Sequence, residues 1–196
     1  MIWQTLKRPT GRVALWLTGV AVLLFVVSNV MATWFWHQAG GVGLLDTDGG
    51  ANLFSASTAI SLPPAGTADR VLAIAHAYSS SMATTHIWLT CSLDLIFPLA
   101  VALMGWTVVA WAVRPLKSAP LRKGLSVIGA VLAVSYLVAD WSENASEVLI
   151  LTGADALASI KPYLSQGKMT IFGALAVVMF VSLACRLIPT PGRLEM

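Results

Sequence analysis

Four apolar runs, each long enough to cross a lipid bilayer, constrain this chain more than any other feature of its sequence. A membrane-spanning helix needs about 20 mostly apolar residues. Only 11% of the residues are charged, against roughly 25% in soluble domains. We predict an all-α fold: an integral membrane antiparallel four-helix bundle with a short outer amphipathic helix. It forms a single transmembrane domain over residues 1–196, with an outer loop at 36–83 and spans at about 13–35, 84–113, 124–151 and 168–188.

The basic residues are distributed unevenly between the predicted loops, and this sets the orientation. All Lys and Arg residues except Arg70, Lys161 and Lys168 lie on one side of the spans. Because Lys and Arg concentrate in cytoplasmic loops, both termini are predicted to be cytoplasmic in a multi-pass membrane protein. The basic residues lack interleaved aromatics and a soluble face, so no nucleic-acid partner is expected.

The second half of the outer loop predicts a short helix. Pro63 and Pro64 stop any preceding helix, and Thr67 is a suitable N-cap with Asp69 in the first turn. Helical spacing places four apolar side chains on one face, which makes the helix amphipathic: Val71, Leu72, Ala75 and Tyr78.

Acidic residues inside two of the apolar spans point to a functional layer. Asp94 lies in the second span, and Asp140, Glu143 and Glu147 follow one helical face of the third at i, i+3 and i+7. A carboxylate in hydrocarbon costs from about 2.5 to over 10 kcal/mol, so it is kept only where it faces protein or water. Further polar side chains fall at similar depth, in all four spans, and predict a pocket there: His86, Thr90, Tyr136, Asn144 and Lys168, with Ser28 and Asn29.

Several interpretations of this polar layer stay open at the level of sequence. The acids could form a hydrogen-bonded network with Lys168 that fixes helix register. They could hold a metal ion, with Asp94, Asp140 and Glu143 as candidate ligands, although no Glu-x-x-His spacing supports one. They could also perform acid/base chemistry on a lipid, or pass a cation or proton along the face. The sequence identifies no cofactor and no catalytic residue.

Two short motifs give the chain a resemblance to a known group. The segment LDLIFP at 93–98 contains Asp-x-x-Phe-Pro, and ADWSEN at 139–144 contains Asp-x-x-Glu-Asn. With these motifs the chain resembles uncharacterised small four-span bacterial inner-membrane proteins. The resemblance also implies a role for an outer-loop acid, here Asp46, and for Lys168. It implies that these residues form one site, without implying a reaction.

The function predicted first is an integral membrane protein with an outward-facing acidic intramembrane pocket that binds a cation, an amine or a lipid headgroup. The first alternative is an intramembrane enzyme acting on a lipid or isoprenoid by carboxylate acid/base chemistry. The second is an accessory subunit of a larger membrane complex. The expected partners are therefore the lipid bilayer, a lipid or cation ligand, and, in the last case, another membrane protein.

Overall fold

The computed structural model describes residues 9–38 and 67–187, and every element in these ranges is helical. The predicted all-α fold is confirmed, with four long apolar helices and a short additional one. Asp46 and most of the predicted outer loop lie outside the described residues. The helices are α1 (Gly11–Gln38), α2 (Ala68–Ala77), α3 (Ser80–Ala112), α4 (Ala119–Leu151) and α5 (Lys161–Leu187), and a 3-10 helix (Asp155–Ser159) precedes α5.

Helices α1, α3, α4 and α5 are each long and apolar enough to cross a membrane, with mean hydropathies of 1.7 to 2.2. The chain is thus a multi-pass membrane protein. Three of these helices begin at Ser80, Ala119 and Lys161 rather than at the predicted residues 84, 124 and 168. The reason is that polar first turns continue the helices beyond the apolar runs, where hydropathy gives no signal.

The chain forms two compact units, and each long helix contributes a segment to both. We call the first the basic unit; it comprises Met1–Ala21, Leu99–Leu137 and Thr170–Met196. We call the second the acidic unit; it comprises Val22–Pro98 and Val138–Met169. All the predicted intramembrane carboxylates belong to the acidic unit.

Close helix packing in the basic unit depends on small residues. Ala102, Ala133 and Leu175 form a buried cluster. One turn before Ala133, Gly129 lies so near Val109 that a Cβ at this glycine would be 2.9 Å from Val109 Cγ1. Small residues four apart let helix backbones approach closely, which is a common means of association in membranes.

Helix α2 of the acidic unit forms as predicted. The Thr67 hydroxyl accepts a hydrogen bond from the Arg70 amide at 3.3 Å and so caps the helix. Its most buried side chains are Val71 and Ile74, which pack with Phe35 and Tyr78. The centre of the buried face is therefore Ile74, while the predicted Leu72 and Ala75 are only partly buried beside it.

A glycine turn ends α4 and directs the chain toward α5. Gly153 has a φ of +104°, a left-handed conformation that glycine adopts without a steric penalty. The Gly153 amide donates to Ile150 O at 3.0 Å and the Ala154 amide to Leu149 O at 2.9 Å. These two bonds form a Schellman motif. The 3-10 helix follows and ends at Ser159, two residues before the first residue of α5.

We predict that Gly129→Ala lowers the free energy of unfolding by about 1–3 kcal/mol, because the added methyl group overpacks the contact with Val109. Gly124→Ala is the matched control, since nothing lies within 4 Å of its Cβ position. This control should be neutral, or stabilise α4 by up to about 1 kcal/mol through helix propensity. Unfolding in micelles by SDS titration measures both. Equal effects of the two variants would contradict the packing argument.

Candidate functional site

Glu143 lies at the centre of a buried cluster of charged side chains in the acidic unit, and its own side chain has no exposed surface. Its Oε1 accepts from Lys161 Nζ at 3.1 Å and from the Ser165 hydroxyl. Its Oε2 contacts the ammonium group of Lys168. All three partners come from the first turns of α5.

Glu147, one turn further along α4, shares a partner with Glu143. Its Oε1 lies 3.1 Å from Lys161 Nζ, and its Oε2 lies 3.1 Å from His86 Nε2 of α3. The Lys161 side chain is fully buried. A buried lysine is tolerated where its charge is compensated, and here two carboxylates surround it.

Asp140 extends the cluster in the other direction. Its Oδ1 lies 3.4 Å from Lys168 Nζ, and its Oδ2 accepts from Asn144 Nδ2 at 3.3 Å. Acids and bases therefore alternate along a continuous series of contacts. We call this series the relay chain; in order, its members are His86, Glu147, Lys161, Glu143, Lys168 and Asp140.

Helical spacing explains why acids and bases alternate along the relay chain. The three acids recur at i, i+3 and i+7 on α4, and the lysines lie at i and i+7 on α5. Each set occupies one face of its helix. The turn at Gly153 reverses the direction of the chain, so the earlier lysine meets the later acids and Lys168 meets the earlier ones.

The net charge of the relay chain depends on one histidine. Three carboxylates face two lysines, which leaves a charge of −1 when His86 is neutral and zero when it is protonated. Removing charges from water costs several kcal/mol per ion unless opposite charges compensate them. His86 completes that compensation only in its protonated form.

Aromatic rings surround His86, which forms one end of the relay chain. The ring centroids of Phe35 and Tyr78 lie 5.6 and 5.8 Å from that of His86, which is 6% exposed. One turn further along α3, Thr90 is buried, and its hydroxyl has no hydrogen-bond partner among the described residues. Helix α1 thus contributes a ring to the site. Its polar Asn29 instead donates to Phe25 O of the same helix, at 2.8 Å.

A proline in α3 connects that helix to the site through its backbone. Pro98 has no N–H, so the carbonyl of Asp94 lacks its usual helical partner. Asn144 Nδ2 donates to this carbonyl at 3.1 Å, and Trp141 Nε1 donates to the next carbonyl, that of Leu95, at 3.2 Å. Two side chains of α4, three residues apart, thereby satisfy backbone oxygens beside the proline.

The structure brings together six of the residues predicted to form the pocket: His86, Asp140, Glu143, Asn144, Glu147 and Lys168. Asp94 adjoins them through its carbonyl, and Thr90 lies one turn from His86. Tyr136 lies in the basic unit, buried against Phe172 with ring centroids 5.6 Å apart. Asp46 is outside the described residues.

Lys161 and Ser165 are site residues that the sequence analysis missed. The apolar run of the fourth span starts after these two residues. The predicted span therefore began at residue 168, and Lys161 fell in the preceding loop. The available signals were Pro162, since proline favours the first turn of a helix, and the seven-residue spacing between Lys161 and Lys168. Together they indicate a helix that starts at residue 161 with both lysines on one face.

The geometry of the acids bears on the metal hypothesis. Within the two described ranges, no three His, Cys, Asp or Glu side chains are grouped so that they could hold a metal ion. The oxygens of Glu143 instead contact the ammonium groups of Lys161 and Lys168. The candidate set Asp94, Asp140 and Glu143 therefore stays a prediction from sequence.

The chain matches no protein-family model, no curated protein and no solved structure. The resemblance carried by the two short motifs stays a prediction.

We predict that Lys161→Met lowers the free energy of unfolding by about 3–5 kcal/mol, because it leaves two buried carboxylates without their shared cation. Adding Glu147→Gln should restore part of the loss by removing one of those charges. Lys117→Met, at an exposed position between α3 and α4, should change stability little. Unfolding in micelles measures all three. A loss as large for Lys117→Met would contradict the assignment.

A second prediction concerns Asn144. Asn144→Leu should cost about 1–3 kcal/mol, since it leaves the Asp94 carbonyl and a carboxylate oxygen of Asp140 short of a donor. Pro98→Ala restores a backbone N–H for that carbonyl, so the cost of Asn144→Leu should be smaller in the Pro98→Ala background. A double-mutant cycle measures this coupling. Strictly additive effects would show that the two features are independent.

Proposed function

We propose that this protein is a proton-binding integral membrane protein in which the relay chain holds an exchangeable proton. The observation that carries the proposal is the unbroken alternation of six acids and bases, five of them buried and Lys168 partly buried, with a histidine at one end. Intramembrane ionisable residues in such series form proton pathways in pumps and transporters. The proton is the smallest member of the cation class predicted from the sequence.

The lysines favour a proton over a larger ligand. The ammonium groups of Lys161 and Lys168 already occupy the contacts that an external amine or metal cation would make with Glu143. A lipid headgroup bearing an amine would compete with the same lysines. A proton displaces neither lysine, because it moves between atoms that are already in contact.

His86 is the group through which the relay chain exchanges its proton. Histidine is the side chain whose charge ordinarily changes between about pH 5 and 8. The carboxylate of Glu147 faces His86 from α4, and Tyr78 and Phe35 cover its ring. The charge asymmetry of the loops favours cytoplasmic termini, which places His86 in the outer half of the bilayer.

The competing interpretation is a sealed network that only fixes helix register, which would suit an accessory subunit of a membrane complex. What favours it is the charge balance reached when His86 is protonated, three carboxylates against three cations. Such a network gains nothing from releasing a proton. The two interpretations therefore differ in whether His86 titrates in the folded protein.

We expect His86 to bind and release a proton in the folded protein, as followed by NMR of 15N-histidine-labelled protein in micelles across about pH 5–8, the range in which histidine ordinarily titrates. His86→Gln identifies its signals. Glu147→Gln should weaken proton binding at His86, because it removes the negative partner 3.1 Å from Nε2. His76→Gln is the control, since His76 forms an exposed pair with Asp155, and it should leave the His86 titration unchanged. A His86 that keeps one charge state throughout this range would defeat the proposal and favour the sealed network.

A further inference from the structure

The basic unit contains a cavity that the proton site does not involve. It has a volume of about 580 Å³ and lies where α3 ends and α4 begins. Its lining includes Trp106, Val113, Arg114, Arg122, Lys123 and Ser126. Sites for small molecules in proteins commonly measure about 300–1,000 Å³, so a lipid headgroup fits this volume.

Within the described parts of the chain, the three cations of the cavity have no acidic partner. The segment Leu99–Leu137 contains no Asp or Glu, and no described carboxylate pairs with Arg114, Arg122 or Lys123. Arg122 makes one hydrogen bond, from Nη1 to Leu116 O at 3.4 Å. Three like charges around one cavity repel each other, and an anion between them would relieve that repulsion.

Arg186, another arginine of the basic unit, differs from the cations of the cavity in its contacts. The guanidinium of Arg186 lies 3.9 Å from the ring centroid of Trp111 and donates to Trp111 O at 3.0 Å. It is held by a cation–π contact and a hydrogen bond. Among the described residues, the cations of the cavity have no cation–π contact, and all three are exposed.

The apolar lining of the cavity and the adjacent start of α4 indicate the kind of anion. Trp106 and Val113 give the cavity an apolar side. Ser118 accepts from the Leu121 amide at 3.4 Å at the start of α4, and the positive end of the helix dipole there adds to the field of the cations. An apolar wall beside a cationic one matches a molecule that is a phosphate at one end and hydrocarbon at the other.

We propose that this cavity binds the phosphate-bearing headgroup of an anionic membrane lipid. The phosphodiester contacts Arg114, Arg122 and Lys123, and the hydrocarbon chains leave along the side formed by Trp106 and Val113. Basic pockets beside transmembrane helices bind headgroups in this way. The site is independent of the relay chain, because its lining lies wholly within the basic unit.

Lipid titrations of the full chain in neutral detergent, read by native mass spectrometry, test the proposal. Phosphatidylglycerol should bind at least about tenfold more tightly than phosphatidylcholine, a difference of about 1.4 kcal/mol. The double variant Arg122→Gln with Lys123→Gln should lose this preference while unfolding like the wild type, since both positions are exposed.

The charge-matched control is Arg12→Gln with Lys117→Gln, two exposed positions that do not line the cavity. It should keep the preference for phosphatidylglycerol. If the control lost the preference for phosphatidylglycerol to the same extent, the preference would reflect general attraction between charges, and the proposal would be overturned. Displacement of the lipid by millimolar inorganic phosphate would also overturn it, because the site would then recognise phosphate without hydrocarbon. No preference in the wild type would exclude the site.

Discussion

The ion pairs between α4 and α5 are the interaction on which the acidic unit depends. Three carboxylates on one face of α4 could not stay buried without Lys161 and Lys168, and Lys161 in turn is buried because acids surround it. Each set alone would carry an uncompensated cost of several kcal/mol per charge. The spacing of seven residues on both helices fixes their register, so packing and charge compensation specify the same arrangement.

The same face of α4 also completes the backbone of α3. Pro98 removes one helical hydrogen bond, and Asn144 supplies a donor to the carbonyl left behind while also bonding to Asp140. Asn144 therefore connects the proline site with the charged side chains. A shift of α4 along its axis would break the ion pairs and, at the same time, remove the donor from the Asp94 carbonyl. Both sets of contacts depend on residues within two turns of one helix.

The apolar runs predicted the all-α class and the four long helices, because hydropathy is a property of each segment alone. The spacing of Asp140, Glu143 and Glu147 likewise predicted their shared face. The burial of Lys161 could not be predicted in this way, since a lysine next to an apolar run is ordinarily at the water interface and only packing shows that it is buried. Tyr136 shares the helical face of the acids but belongs to the other unit, a division that spacing along one helix does not reveal.

The turn at Gly153 has a consequence for how the protein is made. Helix α4 leaves the ribosome before α5, so its carboxylates reach the translocon before the lysines that compensate them exist. Each uncompensated acid opposes entry into lipid by about 2.5–3.5 kcal/mol on insertion scales. Because the connection is short and folds back at once, the two helices can partition together as a hairpin whose charges are already paired. The unit of membrane insertion is then the hairpin, in which the acids of α4 enter the bilayer together with the lysines of α5.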